Sequence, residues 1–349
     1  MTPPTYKNYV NAIYFIHLVK NHRPIWHQRC QRPIMKLMIV SASYRTDIPA
    51  FYGRWFMNRF RAGWAKVVNP YGRQISTIPL RSGVDGFVFW TRNIAPFMDN
   101  LTEIRRVGLP FMIQYTITGY PRALETSVVE TARSIALVHG LAKTHGPHSV
   151  VWRYDPILLT SLTPADWHQD NFSRLARELT GSVDEVAVSF ATFYRKTDRN
   201  LATAARAHGF DWTEPPIKER QDLIATLTKI AASHKMSLSV CSQPDNLTTG
   251  AKPASCVDAR RLEAVAADWG EPRTVPAKLK GNRPGCLCFE SRDLGEYDTC
   301  PHGCVYCYAV SNRDQAKQRH TEHDPNSEFL FPPPELPSNE TPLSPRLTF

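Results

Sequence analysis

No hydrophobic run in this 349-residue chain is long enough to cross a bilayer as a helix. The run from Tyr9 to Val19 is interrupted by Asn11 and His17 and is about half the length a span needs. No small-residue cleavage site follows it, which argues against a secretory signal. Acidic residues are missing from residues 1–37, where Lys7, Lys20, Arg23, Arg29, Arg32 and Lys36 supply six of the net +10 charges. The remaining +4 is ordinary for proteins that never meet a phosphate backbone. This basic stretch could be a transit peptide or an interaction arm. The preferred reading is a poorly ordered upstream extension, with Met35 or Met38 as the natural start and no role for Cys30. Cysteines are too few for a disulfide scaffold, and five of the eight fall within residues 286–307. That density suits a metal site in a reducing, cytoplasmic compartment rather than a set of loop staples.

What is present from Met38 onward is regular. Short apolar, β-branched runs occur at Met38–Ser43, Gly86–Trp90, Phe111–Thr116, Ser149–Arg153, Glu185–Phe190 and Ser237–Cys241. Each is too short for a helix and has the composition of a strand buried on both faces. Helical stretches are expected between them at 52–62, 94–106, 128–144, 166–179, 200–207 and 219–234. Further helices are expected from Asp258 to about Trp269 and from Tyr308 to about Arg319. Strand–helix alternation of this kind predicts an α/β protein, specifically a partial (β/α)6 TIM-like barrel over residues 38–270. An eight-stranded barrel is the alternative, with Gly72–Pro79 supplying a further strand. Residues 271–331 form a cysteine-rich segment expected to pack on the barrel. The Pro- and Ser-rich residues 332–349 are expected to be disordered.

Barrel enzymes build their sites at the C-terminal ends of the strands. Arg45 and Asp47 follow the first run, Arg92 and Asn93 the second, and Arg153 and Asp155 the fourth. Charges leaving a buried strand are costly unless paired or at work. Arg45, Asp47, Arg153 and Asp155 are therefore candidate catalytic residues, and Arg92 and Asn93 candidate cofactor contacts. Salt bridges that merely cap the rim are the competing explanation.

The densest chemistry is Cys300-Pro-His-Gly-Cys304-Val-Tyr306-Cys307-Tyr308. Three thiolates on one short loop can reach a single iron–sulfur cluster and leave one iron open. Zinc closes its structural sites with four ligands, and His302, Cys286 or Cys288 could supply the fourth. Cys241, Cys256, Cys286 and Cys288 form a second set, able to close another [4Fe–4S] cluster or a zinc site. Isolated cysteines are usually small buried hydrophobes, the plainer reading for Cys241 and Cys256.

The spacing Cys-x3-Cys-x-aromatic-Cys at Cys300, Cys304, Tyr306 and Cys307 resembles the signature of radical S-adenosylmethionine (SAM) enzymes. That resemblance implies a [4Fe–4S] cluster on the three cysteines. It also implies SAM on the open iron, Tyr306 near the adenine, an external electron donor and a partial (β/α)6 barrel. The classical superfamily places this loop after the first strand, whereas here it follows the last. A circularly permuted arrangement would bring it to the same barrel face. No Gly-Gly-Glu stretch ends an early strand, and Thr116 to Tyr120 stands where its substitute would be sought.

A longer likeness covers about Met38 to Phe331. It is carried by Ile39-Val-Ser-Ala-Ser-Tyr-Arg-Thr-Asp-Ile-Pro49, Phe87-Val-Phe-Trp-Thr-Arg-Asn93, Thr116-Ile-Thr-Gly-Tyr120, Val151-Trp-Arg-Tyr-Asp-Pro-Ile157, Asp298 to Ala309, and His323-Asp-Pro-Asn-Ser327. On these residues the chain resembles domain-of-unknown-function family 1848, with a cluster loop similar to that of spore photoproduct lyase. The expected function is an iron–sulfur enzyme of the radical SAM kind acting on a small-molecule or nucleic-acid substrate. The alternative is a non-catalytic binding protein, stabilised by zinc or a cluster, with nucleic acid as one ligand.

Overall fold

The computed structural model describes residues 37–334. All of the basic extension but Leu37, Cys30 within it, and the proline-rich tail beyond Pro334 lie outside the described residues.

Eight parallel strands make one sheet: β1 Met38–Ala42, β2 Val84–Thr91, β3 Phe111–Thr116, β4 Val150–Ile157, β5 Glu185–Phe190, β6 Ser237–Val240, β7 Lys252–Pro253 and β8 Ser291–Asp293. Their order across the sheet is β7-β6-β5-β4-β3-β2-β1-β8. The six apolar runs read from the sequence are therefore all strands, and they lie side by side in chain order. The fold is α/β. Ile75–Pro79, inside the stretch offered as an extra barrel strand, pairs antiparallel with Trp64–Val68 in a separate hairpin.

Alternating side chains give the sheet two unlike faces. On one face Val40, Phe87, Phe89, Ile113, Trp152 and Val188 join the main apolar core. That face is covered by α1 Gly53–Ala62, α2 Met98–Arg106, α3 Thr131–His145, α4 Ala165–Leu179 and α6 Ile217–Ser233; α5 Arg195–His208 lies between α4 and α6 in the chain. On the other face Ile39, Val88, Met112, Val151 and Ala187 form a smaller cluster with Cys241, Cys256 and Cys288. Leu262 of α7 Ala259–Asp268 belongs to this second cluster. Along this face apolar residues give way to Ser41, Trp90, Gln114, Arg153 and Ser189 nearer the C-terminal strand ends.

The last helix, α8, spans Arg313–Glu322 rather than beginning at Tyr308. Asp298 accepts the backbone N–H groups of Ser311 and Asn312, which holds residues 308–312 in a loop. Asn312 then caps the helix, accepting from the N–H groups of Asp314 and Gln315 at 2.9 and 3.1 Å. Residues 271–331 also do more than pack on the sheet, because β8 is its edge strand beside β1. No helix among the described residues is long and apolar enough to cross a membrane.

Candidate metal centre

The cysteine loop reaches the strand ends because β8 delivers Asp293 beside β1. Its carboxylate accepts from Ser41 Oγ at 2.9 Å, Ser43 Oγ at 2.7 Å and Tyr44 N at 3.2 Å, and pairs with Arg45 at 3.0 Å. The chain then turns over Ser43 at Gly295, where a Cβ would sit 1.9 Å from Ser43 Oγ. Thr46 Oγ1 bonds Glu296 O and Thr299 Oγ1, both at 2.7 Å, and Tyr52 donates to Thr299 O at 2.5 Å. These contacts set Cys300 above the ends of β1 and β2.

The loop itself turns at Gly303, whose φ of +76° suits glycine. His302 Nε2 meets Asp47 Oδ2 at 2.7 Å, and its carbonyl accepts from Ser127 N at 2.9 Å. Asp47 also accepts from Arg92 N at 2.8 Å and from Ala50 N at 3.0 Å. One carboxylate thus ties the loop to β2 and to the helical turn Ile48–Phe51.

Cys300, Cys304 and Cys307 are each partly exposed, yet protein surrounds them. Burial pushes the Cys300 thiol well above its ordinary range, and Asp47, Cys307 and Cys304 add to the rise. Burial raises Cys304 to about 12 against the opposing pull of Arg92. Cys307 is raised chiefly by burial, with Arg92 and Lys196 working against it. Tyr308 is 42% exposed although burial, Cys307, Asp293, Tyr44 and Asp155 all raise its phenol. Tyr44 and Trp90 meet edge to face at 6.2 Å, and Arg153 stacks 5.0 Å from the Trp90 ring.

Tyr306 faces the other way. Its ring is 7% exposed and packs with Tyr120 and Leu124. Its hydroxyl donates to Glu125 and accepts from Arg92 at 2.6 Å. Arg92 pairs with Glu125 at 2.8 Å, and Thr118 donates to the same carboxylate at 2.6 Å. The Tyr306 side chain thus anchors the cysteine loop to Arg92 and Glu125. Thr116 to Tyr120 lines a small polar pocket of about 50 Å³ beside Arg92 and Glu125.

The second cysteine set is contiguous. Cys256 Sγ lies 3.4 Å from Cys241 Sγ, and Val257 N donates to Cys288 Sγ at 3.4 Å. Arg153 donates to Cys256 Sγ at 3.0 Å, and Arg283 to Cys241 Sγ at 3.7 Å. Bonding to Cys241 pulls the Cys256 thiol down, but the Cys288 bond and burial outweigh it and raise it to about 12, while bonding to Cys256 with burial raises Cys241. Burial also acts upward on Cys286, but hydrogen bonds from Cys288, Asn282 and Ser242 outweigh it and hold that thiol below its usual value. Among the described residues no three His, Cys, Asp or Glu side chains converge closely enough to grip a single ion. The thiols are gathered but not clamped.

The remaining strand-end residues divide. Arg45 pairs with Asp293 rather than with Asp47. Arg153 pairs with Asp155, which also accepts from Ser189. Asn93 Oδ1 accepts from Ala95 N at 3.2 Å, a local bond just ahead of the next helical turn. Asp293, Glu125, Lys196 and Arg283 went unrecognised in the sequence. Asp293 and Glu125 sit in short polar stretches without periodicity, so no local signal marks them.

No curated protein matches the chain. Among solved structures, dihydropyrimidinase from Brevibacillus agri NCHU1002 aligns with 68% of this chain at 11% identity and a TM-score of 0.28. The aligned part is 44% of that protein's chain, and the likeness is too slight to inform the fold. The family model for Domain of unknown function (DUF1848) matches residues 39–309, and the chain belongs to that family.

Proposed function

We propose that this protein is an iron–sulfur enzyme of the radical SAM type, with a [4Fe–4S] cluster held by Cys300, Cys304 and Cys307. The observation that carries this reading is the position of three neighbouring, partly exposed thiols at the C-terminal edge of a parallel sheet. When bound, such a cluster supplies one electron to SAM and so starts hydrogen-atom abstraction from a substrate. The donor set fits: soft thiolates suit iron–sulfur clusters, and Ala309 N already donates to Cys307 Sγ at 3.4 Å. Arg92 and Lys196 place positive charge against thiols that would become anionic. The Asp47–His302 pair and the Tyr306–Glu125 contact fix the loop from two sides.

We read the sheet as a partial (β/α)6 barrel. Six strands adjoining in chain order, with their connecting helices packed on one face, support winding in a single direction. Tyr44, Trp90, Asp155 and Tyr308 would then border the substrate space at the barrel mouth, with the substrate itself unidentified. Cys241, Cys256, Cys286 and Cys288 make a second centre, a [4Fe–4S] cluster or zinc.

Anaerobic reconstitution with iron and sulfide tests the reading. The expected product is brown, carries about four irons per cluster, and forms 5′-deoxyadenosine from SAM once reduced. Substituting Cys300, Cys304 or Cys307 by Ala should remove that cluster's iron and the product together. Uptake of zinc alone by anaerobically purified protein would overturn it in favour of a metal-stabilised binding protein.

A further inference from the structure

The hairpin that carries Cys286 and Cys288 is the solvent-facing side of the second thiol set, whose Cys241 and Cys256 are buried. Its arms are joined by Lys280 N to Cys288 O at 2.9 Å and Glu290 N to Lys278 O at 2.7 Å. Phe289 N bonds Val257 O at 2.9 Å, which seats the hairpin against the cysteine cluster. Leu287, between the two cysteines, is 44% exposed, and Leu279 across the hairpin is 66% exposed. Residues 272–289 contain Arg273, Lys278, Lys280 and Arg283 and no Asp or Glu. Arg273 and Lys280 are paired at the flanks with Glu271 and Glu290. Lys278 and Arg283 pair with no carboxylate among the described residues. The result is a basic patch with two exposed leucines, placed directly over a thiol cluster.

The inner side of that cluster leads to the first set. Arg153 donates to Cys256 and pairs with Asp155. Asp155 acts electrostatically on both Cys241 and Tyr308, and Cys307 acts on Tyr308 in turn. The second set therefore has the basic hairpin on its outer side and the Arg153–Asp155 pair on its inner side. A zinc site there would close the fold but carry no electron. Two guanidinium groups and a backbone N–H directed at the sulfurs are the surroundings that ease reduction of an iron–sulfur centre.

From this arrangement we infer that the 278–287 hairpin is the docking surface for an acidic one-electron carrier protein, which reduces an iron–sulfur centre on Cys241, Cys256, Cys286 and Cys288. The inference rests on the iron–sulfur reading above. Each encounter transfers one electron: the carrier is oxidised, the centre is reduced, and no bond or proton changes place. The electron then moves inward to the Cys300–Cys307 centre. Exposed cations steer an acidic partner to the patch, and the leucines supply the apolar contact at its middle.

The test uses anaerobically reconstituted protein with reduced plant-type [2Fe–2S] ferredoxin, an acidic carrier, as the probe. Stopped-flow absorbance should show reduction by ferredoxin that slows steeply as salt rises. The Lys278→Glu/Leu279→Ser variant should keep its iron content and its reduction by dithionite but lose about tenfold or more of the ferredoxin rate at low salt. Carbodiimide cross-linking of the oxidised proteins should join ferredoxin to Lys278 or Lys280, a readout of docking without electron transfer. A variant as fast as wild type, or a wild-type rate indifferent to salt, overturns the docking surface. Zinc in the second set overturns the electron route while leaving the Cys300–Cys307 reading standing. Iron in neither set overturns both.

Discussion

Arg92 Nη2 lies 2.6 Å from the Tyr306 hydroxyl, and Arg92 Nη1 and that hydroxyl both bond the carboxylate of Glu125. All three side chains are nearly closed to solvent. A strand-end cation, a residue from an irregular loop and the aromatic residue of the cysteine motif thus form one buried unit. Removing the carboxylate alone strands a buried guanidinium. Glu125→Ala should cost about 3–5 kcal/mol of unfolding free energy. Tyr306→Phe, which leaves the ion pair, should cost only about 1–2 kcal/mol. Urea titration of the metal-free protein distinguishes the two, and equal losses would disprove the hierarchy.

Gly295 makes the second structural prediction. An added methyl group would overlap Ser43 Oγ, and Ser43 is a ligand of the Asp293 carboxylate. Gly295→Ala should therefore displace the segment leading into Cys300. Iron uptake by the Cys300–Cys307 set should fall, while the set at Cys241 and Cys256 still loads. Unchanged iron content at both sets would contradict this.

Thiol reactivity should be uneven. Cys286 is partly exposed and its thiol is lowered, whereas burial raises Cys300, Cys304 and Cys307, and bonding to Cys256 with burial raises Cys241. In metal-free reduced protein, iodoacetamide at pH 7.5 should modify Cys286 first among the described cysteines, as peptide mass spectrometry would reveal. Metal loading must remove the protons that Cys241 and Cys256 hold at that pH. Affinity at the second set should rise about tenfold per proton released for each pH unit.

Acid should weaken the fold through His168. The ring is fully buried, with Nδ1 on Tyr154 Oη at 2.8 Å and Nε2 on Leu158 O at 3.1 Å, and burial depresses its pKa from 6.5 to about 4. Between those values the unfolded chain binds a proton that the folded chain refuses. The stabilisation is complete above pH 6.5 and is lost as pH falls toward 4, by an amount on the order of 3 kcal/mol. His168→Gln should flatten that part of the stability–pH curve. An unaltered slope would assign the acid sensitivity elsewhere.

The strands could be read from the sequence because each is buried on both faces, and Val, Ile and Phe then crowd together without alternation. β8 could not. Ser291–Asp293 is three residues long and polar, and it is a strand because Asp293 gathers Ser41, Ser43 and Arg45. Cysteine spacing marked both thiol sets, since ligand chemistry depends on residue type and separation. Spacing gave no account of which way Tyr306 points or which carboxylate holds Arg92, because those follow from tertiary neighbours. Residues 308–312 read as the first turn of a helix for the same reason: their hydrogen bonds go to Asp298 and Cys307 instead of up a helical ladder.

The pairing of β1 with β8 has a consequence in time. During synthesis β1 leaves the ribosome roughly 250 residues ahead of the strand that completes its outer edge. Until Asp293 emerges, that edge is open and the Ser41, Ser43 and Arg45 side chains lack their shared acceptor. A nascent chain stopped before residue 290 exposes a bare strand edge of the kind that invites association with other chains. Closure of the Cys300–Cys307 loop over the strand ends therefore waits until β8 has been made.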